Sequence, residues 1–278
     1  MPVNELFDLS GRVALVTGAA QGLGRAMALA LADAGADILA VDRNTAGAEQ
    51  TAHEIAALGR KSLVAGCDVS KSDELEKLYS LLDREFGRID VLGNVAGDGI
   101  LARPEDITLD QVRQVFDNLV IGRFASCQQA GRRMLAQGRG SIINIGSLAS
   151  LTALGRGHIA YSMAMGAVVQ MTRELSTEWA SAGVRVNAIL PAQVTNPSLE
   201  ARMAADPNLQ PTYLRGIPAG RLGQPNDIRG LSVFLASDAS SWITGALIPM
   251  DGGNMALNGG GSVRPVPAPV PGGALSGS

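Results

Sequence analysis

Seven short runs of aliphatic and β-branched residues are spaced along the chain: "RVALVTG", "DILAVD", "KSLVAGC", "IDVLGNVAG", "GSIINIGS", "VRVNAIL" and "GALIPMDGG". Several are apolar almost throughout instead of alternating, as strands are when helices cover both faces of their sheet. Longer Ala- and Leu-rich stretches of helical period separate them, with helix starts expected near Gly22, Ala46, Ser72, Thr108, Ala160 and Pro225. At one of these starts Thr108 and Gln111 have the spacing of a capping box. This alternation predicts repeated βαβ units and an α/β fold built on a parallel sheet.

With 278 residues and 46% hydrophobic content, the chain can bury one large core. No polar linker divides residues 1–258, which are expected to form a single domain. Residues 259–278, "GGSVRPVPAPVPGGALSGS" with the preceding glycine, are too rich in Gly, Pro and Ser to build a core and read as a C-terminal tail. A net charge of −3, with charges scattered, gives no basic field for nucleic acid. No run of about 18 apolar residues could span a bilayer, and "MPVNELFDLSGR" lacks the order of a secretory signal. No membrane association and a cytoplasmic location are expected. Cys67 and Cys127 are 60 residues apart, and neither they nor the two histidines, His53 and His158, have metal-ligand spacing. Buried free thiols and no metal site are the expectation.

Directly after the first run comes "TGAAQGLGRAMALALADAGA", where Gly18, Gly22 and Gly24 form G-x-x-x-G-x-G ahead of a helical stretch. Glycines let backbone turn sharply toward a pyrophosphate, and the open N–H groups of the helix start attract its negative charge. The second run ends in Asp42, 24 residues after Gly18, where a carboxylate can accept hydrogen bonds from both hydroxyls of an adenosine ribose. The same carboxylate repels a ribose phosphate, so NAD is expected over NADP. Arg43 beside it opposes that preference, by stacking on adenine or meeting a phosphate. With this loop, the sheet is expected to be Rossmann-like and doubly wound, seven-stranded and parallel, with helices on both faces.

From about Leu6 to Leu257 the chain resembles the short-chain dehydrogenases/reductases. The resemblance rests on "TGAAQGLG", "CDVS", "GNVAG", "INIGS", a tyrosine on a helix in "AYSMAMG", "PAQVT" and "DGG", all in order. It implies cofactor contacts from Gly18, Gln21, Gly22, Leu23, Gly24, Asp42, Arg43, Asp68, Val69, Asn94, Ala96, Gly97, Tyr161, Pro191, Val194 and Thr195. In that family a tyrosine exchanges the hydroxyl proton and a serine steadies the substrate oxygen; here these are Tyr161 and Ser147, fourteen residues apart. A lysine four residues past the tyrosine bonds the nicotinamide ribose and lowers the tyrosine pKa. In this chain that position is Met165.

A unit charge about 4 Å away, at an effective dielectric of about 20, is worth roughly 4 kcal/mol. That is about three decades in an ionisation equilibrium, and a thioether supplies neither charge nor donors. Lys61, Lys71 and Lys77 belong to the third strand and the helix after it; Arg173 is three turns along the helix and Arg156 is expected in a loop. Two further departures concern asparagines. Val95 replaces the second of two adjacent asparagines, and counting three residues back from Gly122 reaches Leu119, with Asn118 one residue early. A helix bulge can bring Asn118 into the catalytic set.

Three explanations of Met165 remain open at this point: an engineered inactivating substitution, a natural enzyme with weakened or altered chemistry, or a catalytically inactive NAD-binding scaffold descended from a dehydrogenase. For an enzyme, the resemblance implies an NAD(H)-dependent oxidoreductase interconverting a secondary alcohol and a ketone. The substrates implied are of polyol, sugar or sugar-acid type. Residues 195–224 are expected to form a lid, and Gly97, Asp98, Ser150, His158, Gln193 and Asn196 to line the pocket. Three tyrosines, five phenylalanines and two tryptophans do not favour a bulky aromatic-lined site. A homotetramer or homodimer through the helices beginning near Thr108 and Ala160 is also implied.

Overall fold

In the computed structural model, which describes residues 2–257, all seven runs form strands. They are β1 (Val13–Thr17), β2 (Asp37–Val41), β3 (Ser62–Ala65), β4 (Val91–Asn94), β5 (Gly140–Ile145), β6 (Val184–Pro191) and β7 (Leu247–Met250). Every neighbouring pair is parallel, in the order β3-β2-β1-β4-β5-β6-β7. The order reverses between β1 and β4, which opens a crevice at the carboxyl ends of these strands. The expected tail, residues 259–278, lies outside the described residues.

Period two along the strands divides the core into two layers. Ala14, Val16, Ile38 and Ala40 pack beneath α1 (Gly22–Asp33), α2 (Thr45–Ala57) and α9 (Arg229–Ala236). Val13, Leu15, Leu39 and Val41 face the other way, toward α3 (Ser72–Glu85), α5 (Arg123–Gln137) and the end of α6 (Ile159–Trp179). Both faces are covered, which is why the strands read as continuous apolar runs. Cys67 and Cys127 are free and buried. Among the described residues no helix is long and apolar enough to cross a membrane.

Three segments depart from the expected pattern. Residues 195–224, expected only as a lid, contain α7 (Pro197–Ala205), capped by Asn196, and α8 (Leu209–Leu214). The element at Pro225 starts as a 3-10 turn, Pro225–Ile228, before α9 takes over. The third is the helical run that begins with α4 (Leu109–Phe116). Thr108 Oγ1 accepts from Gln111 N–H at 3.2 Å and Gln111 Oε1 accepts from Thr108 N–H at 2.9 Å, completing the capping box. The run then passes through a π turn, Asp117–Gly122, before continuing as α5. A π turn absorbs one extra residue, and each added residue turns the following side chains by about 100°.

Candidate active site

The first half of the crevice is built by the β1-α1-β2 unit, the ends of β3 and β4, the segment after β6 and the π turn. Gly18 has φ +72°, and a Cβ there would lie 3.2 Å from the backbone nitrogen of Ala96. Gly22 has φ +57°, and a Cβ there would stand in open space. The amides of Gly22, Leu23 and Gly24 precede the bond from Arg25 N–H to Gln21 O at 3.2 Å, so the helix start faces the crevice with unspent donors. Asp42 is held by two amides, Oδ2 accepting from Ala20 at 3.0 Å and Oδ1 from Asn44 at 2.9 Å. A fixed carboxylate 24 residues after Gly18, beside a glycine-lined, donor-bearing helix start, fits the adenosine diphosphate half of a dinucleotide.

Asp68 borders the same crevice. Burial works to raise its pKa, but hydrogen bonds from the Ser70 hydroxyl and amide outweigh it and leave the carboxyl below its ordinary value. Thr17 Oγ1 joins the ends of β1 and β4 by accepting from the amides of Val95, at 2.9 Å, and Ala96, at 3.0 Å. Of the expected cofactor residues, Gly18, Gln21, Gly22, Leu23, Gly24, Asp42, Arg43, Asp68, Val69, Ala96, Gly97, Val194 and Thr195 line this crevice. Asn94 does not. It is buried below, donating to Arg123 O at 3.0 Å and Asn144 Oδ1 at 3.2 Å. Across the mouth, Arg43 pairs with Asp98 at 2.8 Å.

A second cavity continues from the first, and Gln21, Gly97, Asp98, Val194 and Asn196 belong to both. Ser147, Tyr161 and Pro191 line it, with His158 and Gln193. Ser147 lies two residues past the end of β5 and caps a 3-10 turn, Leu148–Ser150. Its Oγ accepts from Ala149 N–H at 3.2 Å, so its own hydroxyl proton remains available to a substrate oxygen. Tyr161 stands in the first turn of α6, its ring edge-on to His158 with centroids 6.1 Å apart. Ser150, expected on the pocket wall, is absent from it; its Oγ accepts from Ser147 N–H at 3.1 Å.

Met165 lines neither cavity. It is 1% exposed and packs with Val115, Leu119, Ala164 and Val168 between α6 and the helix that passes through the π turn. Asn118 stands in that π turn and borders the cofactor crevice. A Cβ on Gly97 would lie 3.1 Å from its Oδ1, which is buried without a partner among the described residues.

Arg123, directly after the π turn, is 3% exposed. Its Nε donates to Ala96 O at 3.2 Å, Nη2 donates to Val95 O and Ala96 O, each at 3.1 Å, and Nη1 donates to Ile145 O. The guanidinium therefore lies under the ends of β4 and β5, two residues from Ser147. Burial pushes its pKa down to about 10, opposed by the charges of Tyr161 and Cys127. Lys61, by contrast, is tied to Glu85 O at 2.5 Å, Lys77 pairs with Asp73 at 3.3 Å, and Lys71 heads α3.

Sequence reasoning missed Arg123. Its signal is a charge in the apolar stretch "NLVIGRFASC", one residue out of the usual asparagine-to-glycine spacing. It also missed Arg202 and Tyr213 and set Arg156 aside as a loop residue, yet all three line the second cavity. Two of the three tyrosines are thus at the site.

A family model described as Enoyl-(Acyl carrier protein) reductase matches residues 18–254. The chain is 40% identical over 247 residues to D-threitol dehydrogenase of Mycolicibacterium smegmatis, covering 89% of this chain and 94% of that one. It is 38% identical over 253 residues to 2-dehydro-3-deoxy-D-gluconate 5-dehydrogenase of Pseudoalteromonas atlantica, covering 90% and 98%. The crystal structure of a gluconate 5-dehydrogenase from Burkholderia cenocepacia, in complex with NADP and tartrate, superposes with a TM-score of 0.85 at 31% identity. That match covers 92% of this chain and 99% of the other.

Proposed function

The chain belongs to the short-chain dehydrogenase/reductase family, and from that premise we propose that it is an NAD(H)-dependent oxidoreductase interconverting a secondary alcohol and a ketone. Its substrates are of polyol, sugar or sugar-acid type. The observation that carries this reading is the continuity of the two cavities: the Gly- and Asp-lined crevice opens directly onto the wall holding Ser147 and Tyr161.

The bound nicotinamide supplies hydride exchange with the substrate carbon. Residues 18–24 receive the diphosphate on open amides, and Asp42 receives the ribose hydroxyls, which favours NAD. The Tyr161 hydroxyl passes the proton to or from the substrate oxygen while the Ser147 hydroxyl donates a hydrogen bond to that oxygen. Asn118 Oδ1, buried beside Gly97 and without a partner among the described residues, is an acceptor bordering the cofactor crevice. The two buried thiols suit a reducing, cytoplasmic setting. Exposed Ile121 and Phe124 on one helical run, and Met163 on α6, suit a homodimer or homotetramer.

Met165 occupies the family's lysine position with an apolar side chain, so turnover is weakened or altered. The alternative is an inactive, NAD-holding scaffold. Arg123 favours the enzyme: a cation is kept under the catalytic end of the sheet, and burying it among carbonyls alone has a cost that a mere scaffold does not require.

The test is NADH-linked turnover over a panel of polyols, ketoses and sugar acids, for the chain and for Met165→Lys. Turnover that rises in the variant supports an otherwise complete site. NAD binding without turnover in either form supports the scaffold, and no NAD binding removes both readings.

A further inference from the structure

Two arginines meet on one aromatic ring in the second cavity. Arg156 lies over the face of Tyr213, its guanidinium carbon 4.6 Å from the ring centroid, and Arg202 Nη2 donates to the Tyr213 hydroxyl at 3.2 Å. Among the described residues neither arginine has a carboxylate within ion-pair distance. Asp98, the carboxylate on the cavity wall, is engaged by Arg43. His158 faces both arginines, and its pKa is held below the ordinary value by burial first and then by their charges.

The same wall collects unpartnered polar atoms. Of six buried side-chain polar atoms without a hydrogen bond among the described residues, three lie here: Arg156 Nε, His158 Nδ1 and Gln193 Oε1. Buried donors without acceptors are costly, and two like charges held close repel. The open Arg156 Nε donor and the repulsion of the two guanidinia are relieved by an anion with several acceptor oxygens, while Gln193 Oε1, an acceptor, is met by a substrate hydroxyl. A neutral polyol brings hydroxyls but no charge to answer two guanidinia. The planar fork of arginine matches a carboxylate.

Accepting the oxidoreductase reading above, we propose that Arg156 and Arg202 seat the carboxylate of the substrate, so that this chain acts on a hydroxy or keto acid of the sugar-acid type in preference to a neutral polyol. Relatedness does not make this choice, since relatives named for a polyol and for a sugar acid are 40% and 38% identical to the chain. Tyr213, on α8, sets the spacing of the two guanidinia: it carries one on its face and one on its hydroxyl. The carboxylate end is thereby held on α7, α8 and the loop before α6, while the carbon to be oxidised or reduced lies toward Ser147 and Tyr161.

The experiment reads binding, so it does not depend on turnover. The full chain, saturated with NADH, is titrated by calorimetry with gluconate, sorbitol and sorbitol 6-phosphate. The expected result is saturable gluconate binding, at least tenfold tighter than sorbitol and tighter than the phosphate. Arg156→Met and Arg202→Met should each weaken gluconate roughly 10- to 100-fold, the usual loss of a charge-assisted bond. The NADH dissociation constant, measured in the same variants, reports that the fold is intact. Equal binding of gluconate and sorbitol, or gluconate affinity unchanged in both variants, overturns the proposal. Preference for sorbitol 6-phosphate overturns the carboxylate assignment in favour of a phosphorylated substrate. Gluconate binding without turnover on any substrate leaves the seat in place and removes the oxidoreductase reading instead.

Discussion

The two halves of the crevice are built by different rules. The proposed cofactor half centres on one stretch of chain, a strand, a glycine turn, a helix and the next strand, to which the ends of β3 and β4 and the segment after β6 add their edges, and it offers backbone amides and two held carboxylates, Asp42 and Asp68. The catalytic half is assembled from the ends of β4, β5 and β6, the π turn and α6 to α8, with contacts from long side chains. In a local unit the spacing of residues dictates the geometry. In an assembled site the residues come from several segments: Met165 on α6 packs in an apolar cluster, while α5 brings a buried cation, Arg123, under the ends of β4 and β5.

The sharpest way to break this comparison is Tyr161→Phe. It should lower kcat by about 10²- to 10⁴-fold, the usual worth of general acid–base catalysis, with NAD affinity unchanged by calorimetry. Coupled loss of both would mean that the halves are not separable. Met165→Lys should raise kcat by roughly 10- to 100-fold. That is less than the roughly 4 kcal/mol of an ion pair at about 4 Å, since position 165 is buried and the new ammonium loses hydration there. Thermal unfolding of the variant serves as control.

The polar belt beneath the catalytic half can be probed by pH. Burial pushes the Cys127 thiol up to about 12, helped against by Asn94, Arg123 and Asn144. A raised folded value means that the neutral thiol stabilises the fold fully below the unfolded pKa of about 8.5. That stability is lost as pH rises toward 12. Urea midpoints should therefore fall by the equivalent of about 2 kcal/mol between pH 7 and pH 10 relative to Cys127→Ala. In the cofactor half, Asp42→Ala should weaken NAD about tenfold and narrow its advantage over NADP, as expected for one lost charged hydrogen bond. The smallest effect concerns the helix that carries both Asn118 and Arg123. Thr108→Ala should cost about 1 kcal/mol of stability through its cap, without altering kcat.

Legibility followed the same division. The seven strands, their parallel pairing and the capping box at Thr108 were all readable, because apolar runs and S/T-x-x-Q spacing act locally. The glycines and Asp42 were readable for the same reason. The π turn was only half visible: the shifted Asn118 hinted at it, but nothing local showed that the shift would turn Arg123 inward against three carbonyls. Helices α7 and α8 were hidden by their Pro and Asn content, which serves as Pro at a helix start and Asn196 as a cap. Arg156 and Arg202 are 46 residues apart and come together through Tyr213, a meeting that no sequence period encodes.

The measurement that bears most directly on the central claim is a calorimetric titration of the full chain with NAD. Saturable binding of one NAD per chain, weakened by Asp42→Ala and unchanged by Tyr161→Phe, is the predicted result. No heat from NAD or NADP at millimolar ligand would contradict the account at its base.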